Sequence, residues 1–248
     1  MFKGRDQIQQ AYRDDNVARQ YVAERFTSPL GALLHDRQVK AVTDLIHRHG
    51  IRQAVEIAPG PARLTVDIAD HLERVTLLDA SAQMLHEARR RLETRRLLER
   101  ARFVQADAFA LPVIANLELV YTFRLIRHFQ ADDRIKILSQ IAGILRPGGR
   151  VVFDVVNETV STALRAKAGA GEYEHYDALL RPETVRDEAR QAGLELESLI
   201  GVQHRYPTLH RIQVLVAPRS ASLARAAMEI LDRTGGEPLE WVAICRRA

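Results

Sequence analysis

From Gln53 onward the chain alternates short apolar runs with stretches in which apolar residues recur at helical spacing. The runs are "QAVEIA" (53–58), "RVTLLD" (74–79), "ARFVQA" (101–106), "LELVYTF" (117–123) and "RVVFDVV" (150–156). Helical periods fall between them near 62–70, 81–99 and 131–145. Continuous apolar strands separated by helices predict a mostly parallel sheet covered on both faces, a doubly wound α/β fold. "RPGGR" (146–150) reads as a glycine stop to the preceding helix and a turn into the fifth strand. Two helical stretches, roughly 15–26 and 31–48, precede this core and are split by "TSPLG". After the core, a helix near 182–192 ends at Gly193 and leads into a sixth strand, and "EWVAICRR" (240–247) supplies a seventh. "RIQVLV" has the composition of a strand. The spacing of Leu223, Ala226, Ala227, Ile230 and Leu231 nevertheless makes 208–234 a mainly helical insertion before the last strand.

No repeat or low-complexity linker divides the 248 residues, so 1–248 reads as one domain. Its parts are helices over 1–50, a core over 51–156, and a cap with the insertion and final strands over 157–248. A hydrophobic share of 46% suits a sizeable buried core. The single cysteine, Cys245, excludes an internal disulfide framework and a Cys-rich zinc site, and it fits a reducing, cytoplasmic setting. No metal is expected. The opening "MFKGRDQIQQAYRDDN" has no apolar segment of the secretory kind, and no run approaches the roughly 18 apolar residues of a membrane helix. Net charge is +4, and the densest basic cluster, "EARRRLETRRLLERAR" (87–102), interleaves arginines with Glu87, Glu93 and Glu99. That pattern describes a solvated helix face better than a nucleic-acid surface.

The candidate chemistry lies where strands end, because an open parallel sheet binds ligands beyond the carboxyl ends of its strands. The first such loop is "APGPAR". Gly60 lets the backbone come close to a ligand, while Ala58 and Ala62 stand where loops of this kind usually carry glycine. Pro59 and Pro61 remove two amide donors, which penalises a pyrophosphate more than a ligand without phosphate. The second strand ends in Asp79, 21 positions after Ala58, where an acid can accept from both ribose hydroxyls. The third leads to Asp107, where an acid can accept from an adenine amino group.

These segments together resemble the class I S-adenosylmethionine-dependent methyltransferases, in the small-molecule branch related to the ubiquinone-biosynthesis type. "VEIAPGPARLT", "VTLLDASAQMLHEARRR", "FVQADAFALP", "LVYTFRLIRHF" and "LRPGGRVVFDVVN" carry the resemblance, which covers about residues 12–200. It implies an antiparallel last strand, an N-terminal helical lid and S-adenosyl-L-methionine as cofactor. By the same resemblance Glu56 orients the methionine end beside the backbone of Ala58 and Gly60. Asp79 holds the ribose, Ala80 and Met84 flank the adenine, and Asp107 with Ala108 reads its edge. "NVARQYVAERFTSPLG" resembles the lid helix, in which Tyr21 and Arg25 share a face. There Arg25 would pair with the methionine carboxylate, and Tyr12 or Tyr21 would close over the cofactor.

The segment after strand four, "TFRLIRHF", borders the transferred methyl in this fold, with Phe123 and Arg124 nearest to it. His128 is the candidate base, because imidazole titrates near neutrality. Tyr173, His175, Tyr176, His204 and His210 are further candidates from the cap. Tyr121-Thr122-Phe123-Arg124 stands where methyltransferases acting on DNA bases or glutamine usually show Asn/Asp-Pro-Pro-aromatic. That difference favours a small-molecule acceptor, anionic if Arg124 and Arg127 face it. Two alternatives stay open: a cofactor-binding protein without turnover, and a nicotinamide-dependent oxidoreductase. The sequence leaves undecided whether O, N, C or S is methylated.

Overall fold

The computed structural model describes residues 27–112, 116–169 and 176–248. Helix α1 (Pro29–His49) starts with the Ser28 side chain accepting from Gly31 N and ends at Gly50 in the left-handed region. The sheet order is β3 (Ala101–Gln105), β2 (Arg74–Asp79), β1 (Gln53–Ile57), β4 (Leu117–Thr122), β5 (Leu145–Asn157), β8 (Pro238–Arg247), β7 (Leu194–His204). A two-residue strand β6 (Leu179–Leu180) pairs with β5. The strands from β3 to β5 run parallel, and β8 lies antiparallel between β5 and β7. The strand order therefore reverses between β1 and β4.

Two apolar layers sandwich this sheet. Leu119 and Val152 face α1 and the α3 helix (Ala82–Thr94), where Leu85, Ala88 and Leu92 fill one face. Their neighbours Val120, Val151 and Phe153 face the other way, toward α4 (Ala131–Ile144) and α6 (Pro182–Gln191). The alternation is that of strands buried on both sides. A third cluster joins Leu30 and Leu33 of α1 to Leu209 of α7 (Tyr206–Leu215) and to Ala224 and Met228 of α8 (Ala221–Asp232). The insertion is thus a helical pair docked on α1, and "RIQVLV" belongs to α7 and its C-terminal end.

Element boundaries differ from the sequence expectation for local reasons. The helix expected over 62–70 is only α2 (Thr65–Ile68) followed by a 3-10 turn, because Ala62 at φ 54° cannot belong to an α-helix. The helix expected over 81–99 stops at Thr94, with Arg96 at φ 59°. Beyond β5 a short helix α5 (Glu158–Arg165) is capped by the Asn157 side chain, which accepts from Thr159 N at 3.0 Å. Extended structure on β5 already begins at Leu145, paired with Leu117 ahead of a register shift. Gly149 sits at that shift, and a Cβ there would lie 2.6 Å from the Leu117 carbonyl oxygen and 2.9 Å from that of Arg146. Both are backbone atoms with little freedom to yield. Gly149→Ala should therefore lower unfolding stability by about 1–3 kcal/mol, as overpacking does. Urea denaturation checks this, and an unchanged midpoint would contradict the close approach.

Candidate active site

The C-terminal ends of β1 to β4 open on one cleft. Its floor is the first loop, where Ala58, Gly60 and Ala62 all take left-handed angles, at φ 52°, 53° and 54°. The chain follows a glycine-type path although two of the three positions carry a methyl. Each alanine is strained by about 1–2 kcal/mol there. Close contacts hold the loop down: Ala58 N donates to Leu78 O at 2.7 Å, and Ala62 is fully buried. The thioether of Met84 packs against Gly60, 3.9 Å from where a Cβ would stand.

Asp79 joins this loop to β2. Its Oδ2 accepts from Gly60 N at 3.1 Å and its Oδ1 from Ser81 N at 2.9 Å. Each oxygen keeps acceptor capacity toward the cleft. Burial pushes the carboxyl up to about 6, against the backbone N–H groups that favour its charged form. Glu56 lies beneath the loop, where burial pushes it up to about 8 despite the Thr65 hydroxyl and the Arg63 charge. The Thr65 hydroxyl donates to Glu56, and the buried Tyr121 hydroxyl is 2.7 Å from Thr65 Oγ1. Arg63, also buried, reaches α1 through Gln38 Oε1 at 2.6 Å and through His35. Asp107 borders the cleft while its Oδ1 accepts from Phe109 N at 2.9 Å, and the Phe109 ring meets Phe129 edge-on at 5.2 Å.

The fourth side follows β4. Arg124 is left-handed at φ 62°, and its backbone N donates to Asp154 Oδ1 at 2.6 Å. Arg127 points away from the cleft: its Nη2 lies 2.8 Å from both Asp154 Oδ2 and Glu240 Oε1. His128 lines the cleft and is only 8% exposed. Its Nδ1 is 3.0 Å from the Tyr176 carbonyl oxygen, which can only accept, so Nδ1 carries the proton. Nε2 is buried and has no hydrogen-bond partner among the described residues. Burial holds the imidazole below its ordinary pKa, outweighing the Tyr176 carbonyl and Asp177, and Arg127 and Arg124 push the same way as burial.

One cleft therefore gathers Glu56, Ala58, Gly60, Asp79, Ala80, Met84, Asp107, Ala108, Phe123, Arg124 and His128. Tyr21 and Arg25 lie outside the described residues, as do Tyr12, Tyr173 and His175. His204 sits against the insertion, its Nδ1 3.2 Å from Asp232 Oδ1, and neither it nor His210 borders the cleft. Tyr176 contributes its carbonyl. Sequence reasoning missed Arg63, Phe109, Leu125 and Phe129, which also line the cleft. All four stand inside the quoted motifs, so their position was the one signal that could have found them. The arginines of α3 serve the fold: Arg90 pairs with Glu87 at 2.8 Å, Arg89 stacks 4.4 Å above Phe103, and Arg91 donates to Pro61 O at 3.2 Å.

Residues 54–149 match the family model described as a methyltransferase domain. The ubiquinone biosynthesis O-methyltransferase of Aromatoleum aromaticum is 26% identical over 162 residues, 62% of this chain and 68% of the relative. The ubiquinone/menaquinone biosynthesis C-methyltransferase of Idiomarina loihiensis is 32% identical over 121 residues, 47% of each chain. The crystal structure of magnesium protoporphyrin IX methyltransferase from Synechocystis PCC 6803 with bound S-adenosylhomocysteine superposes with a TM-score of 0.70. It does so at 11% identity, over 98% of this chain and 99% of that one. The fold is the Rossmann-like fold of methyltransferases. The sequence matches, beyond the shared fold, support S-adenosylmethionine-dependent methyltransferase activity.

Glycine at Ala58 or Ala62 would relieve the left-handed strain while adding about 0.5–1 kcal/mol of backbone entropy to be lost on folding. Each of Ala58→Gly and Ala62→Gly should thus gain up to about 1 kcal/mol of stability. Equilibrium unfolding reads this directly; destabilisation by both changes would show that the loop carries no such strain.

Proposed function

We propose that the protein moves a methyl group from S-adenosylmethionine to a hydroxyl oxygen of a small molecule, in line, with His128 as general base. One observation carries this reading: a buried imidazole whose Nδ1–H is committed to a carbonyl and whose Nε2 lone pair has no hydrogen-bond partner among the described residues. A hydroxyl acceptor must lose a proton, and a neutral imidazole is suited to take it near pH 7. The recurring relatives named O-methyltransferases support the same choice of atom.

The cleft suits a nucleoside joined to an amino acid without phosphate, since Pro59 and Pro61 deprive the first loop of two amide donors. Asp79 is assigned to the ribose hydroxyls, Met84 and Ala80 to the faces of the adenine, and Asp107 with Ala108 to its edge. Glu56 and the backbone of Ala58 and Gly60 are assigned to the methionine end. When bound, the cofactor supplies a methyl already activated on positive sulfur, and the new bond forms as the carbon–sulfur pair stays with sulfur. His128 Nε2 accepts the hydroxyl proton as the oxygen attacks. Phe123, Leu125 and Phe129 shield the reacting atoms from water, and alignment supplies most of the acceleration, up to roughly 7–11 kcal/mol. Arg127 points away from the cleft while Arg124 lines it, so an anionic group on the acceptor is assigned to Arg124.

His128→Ala should lower kcat by about 10²–10⁴ and leave S-adenosylhomocysteine affinity nearly unchanged. A full rate in the folded variant would refute the base. Asp79 makes a separate prediction. Above about 6 its carboxylate accepts ribose hydroxyls; as pH falls through that value it takes a proton and loses acceptor strength. S-adenosylhomocysteine affinity should accordingly drop up to about tenfold between pH 7.5 and 5. Calorimetry of Asp79→Asn should show weaker binding and no such step; a persisting step would place the titration elsewhere.

A further inference from the structure

We propose that Asp177 is the positioning residue for His128, sharing the imidazole with the Tyr176 carbonyl and balancing the charge it gains in the reaction. The proposal rests on the reading of His128 as base. Residues 176–178 pack against the turn after β4. Ala178 N donates to Arg127 O at 2.6 Å, which fixes this segment to the residue preceding His128. Tyr176 O accepts the hydrogen bond from Nδ1–H at 3.0 Å and sets the tautomer, so that Nε2 is the basic atom. Asp177 Oδ1 stands 3.6 Å from the same Nδ1, too far for a hydrogen bond to the neutral ring but within reach of its charge once protonated. That oxygen has no hydrogen-bond partner among the described residues. The other oxygen, Oδ2, lies 3.0 Å from Arg165 Nη2 of α5, which turns the carboxylate so that Oδ1 faces the ring.

The charges around His128 explain why a carboxylate is needed. Arg124 and Arg127, from its own turn, both disfavour an imidazolium, and burial does so more strongly. Among the groups that bear on the ring, Asp177 is the carboxylate that favours it. When the acceptor oxygen forms its bond to the methyl carbon, the hydroxyl proton moves to Nε2 and the ring becomes cationic with Nδ1–H still on Tyr176 O. The positive charge then lies beside Asp177, and the proton leaves to solvent after product release. Without the carboxylate this cation forms in a buried site flanked by two arginines.

Nitrogen-15 NMR of the His128 ring and pH–rate profiles test this in the intact protein. The wild type should show the Nδ1–H tautomer; the opposite tautomer would overturn the proposal whatever the variants do. In Asp177→Asn, the His128 titration and the acid limb of the rate profile should both move to lower pH, and kcat should fall about tenfold, a typical coupling between neighbouring side chains. Asp177→Glu should recover part of the rate, and S-adenosylhomocysteine affinity should stay as in the wild type. A rate loss without any change in the His128 titration would mean a merely structural role and would overturn the proposal. So would an unchanged rate and titration in a folded Asp177→Asn. The two readings fail separately: full activity in His128→Ala sinks the base, whereas the ring titration reports on Asp177 regardless of turnover. Should Asp177→Asn not fold, the wild-type tautomer and the Asp177→Glu profile still decide.

Discussion

The side of the cleft that follows β4 hangs on the buried charge of Arg127. Its guanidinium sits between Asp154 of β5 and Glu240 of β8, 2.8 Å from each, with all three side chains nearly inaccessible. Burial opposes the charge, and the two carboxylates more than restore it. An ion cluster of this kind need not add net stability, but removing one member leaves an uncompensated charge in the interior. Its geometric effects extend outward. Asp154 holds the backbone of Arg124 in the left-handed turn that ends β4. The carbonyl of Arg127 receives Ala178 N and brings in the segment that orients His128. A residue that points away from the cleft thereby sets the shape of one side of it.

The side formed by the ends of β1 and β2 is organised differently. It relies on backbone conformation and on one carboxylate that accepts N–H groups from two loops. The strain at Ala58 and Ala62 is sustained because the loop is pinned by Leu78 O, by Asp79 and by the burial of Ala62 itself. Glu56 with Thr65 and Tyr121 forms a polar plug beneath it, in which the Thr65 hydroxyl donates to Glu56 and the Arg63 charge favours its carboxylate. The two sides meet at the end of β4, where strand order reverses.

Much of this was legible in the sequence, for reasons that differ by residue. Glu56 was marked by the family resemblance alone, whereas the core strands were readable because each centres on a short apolar run, and Asp79 and Asp107 because they follow strands at the spacing of a doubly wound sheet. The path of the first loop was not: alanine gives no sign of a positive φ, so a helix was expected from residue 62 where a turn persists to Leu64. Arg127 looked like a second cation for an anionic acceptor, because its partners are 27 and 113 positions away and only folding brings them together. Asp177 sits after a stretch with no periodic signal, and its meaning depends wholly on His128, which lies on a different element. "RIQVLV" shows the converse case, a β-branched run overridden by packing of α7 against α1.

The placement of β8 between β5 and β7 has a consequence for synthesis. As the chain grows from its N-terminus, β3, β2, β1, β4 and β5 can pair in sequence as they appear. β7 cannot join them, because its neighbour is a strand not yet made. Until residues 238–247 emerge, β5 and β7 each expose an unpaired edge, and Arg127 has Asp154 without Glu240. The β1 and β2 side of the cleft can thus assemble on the nascent chain while the β4 side waits for Glu240, and the interval is the one in which this protein is most open to edge-to-edge misassembly.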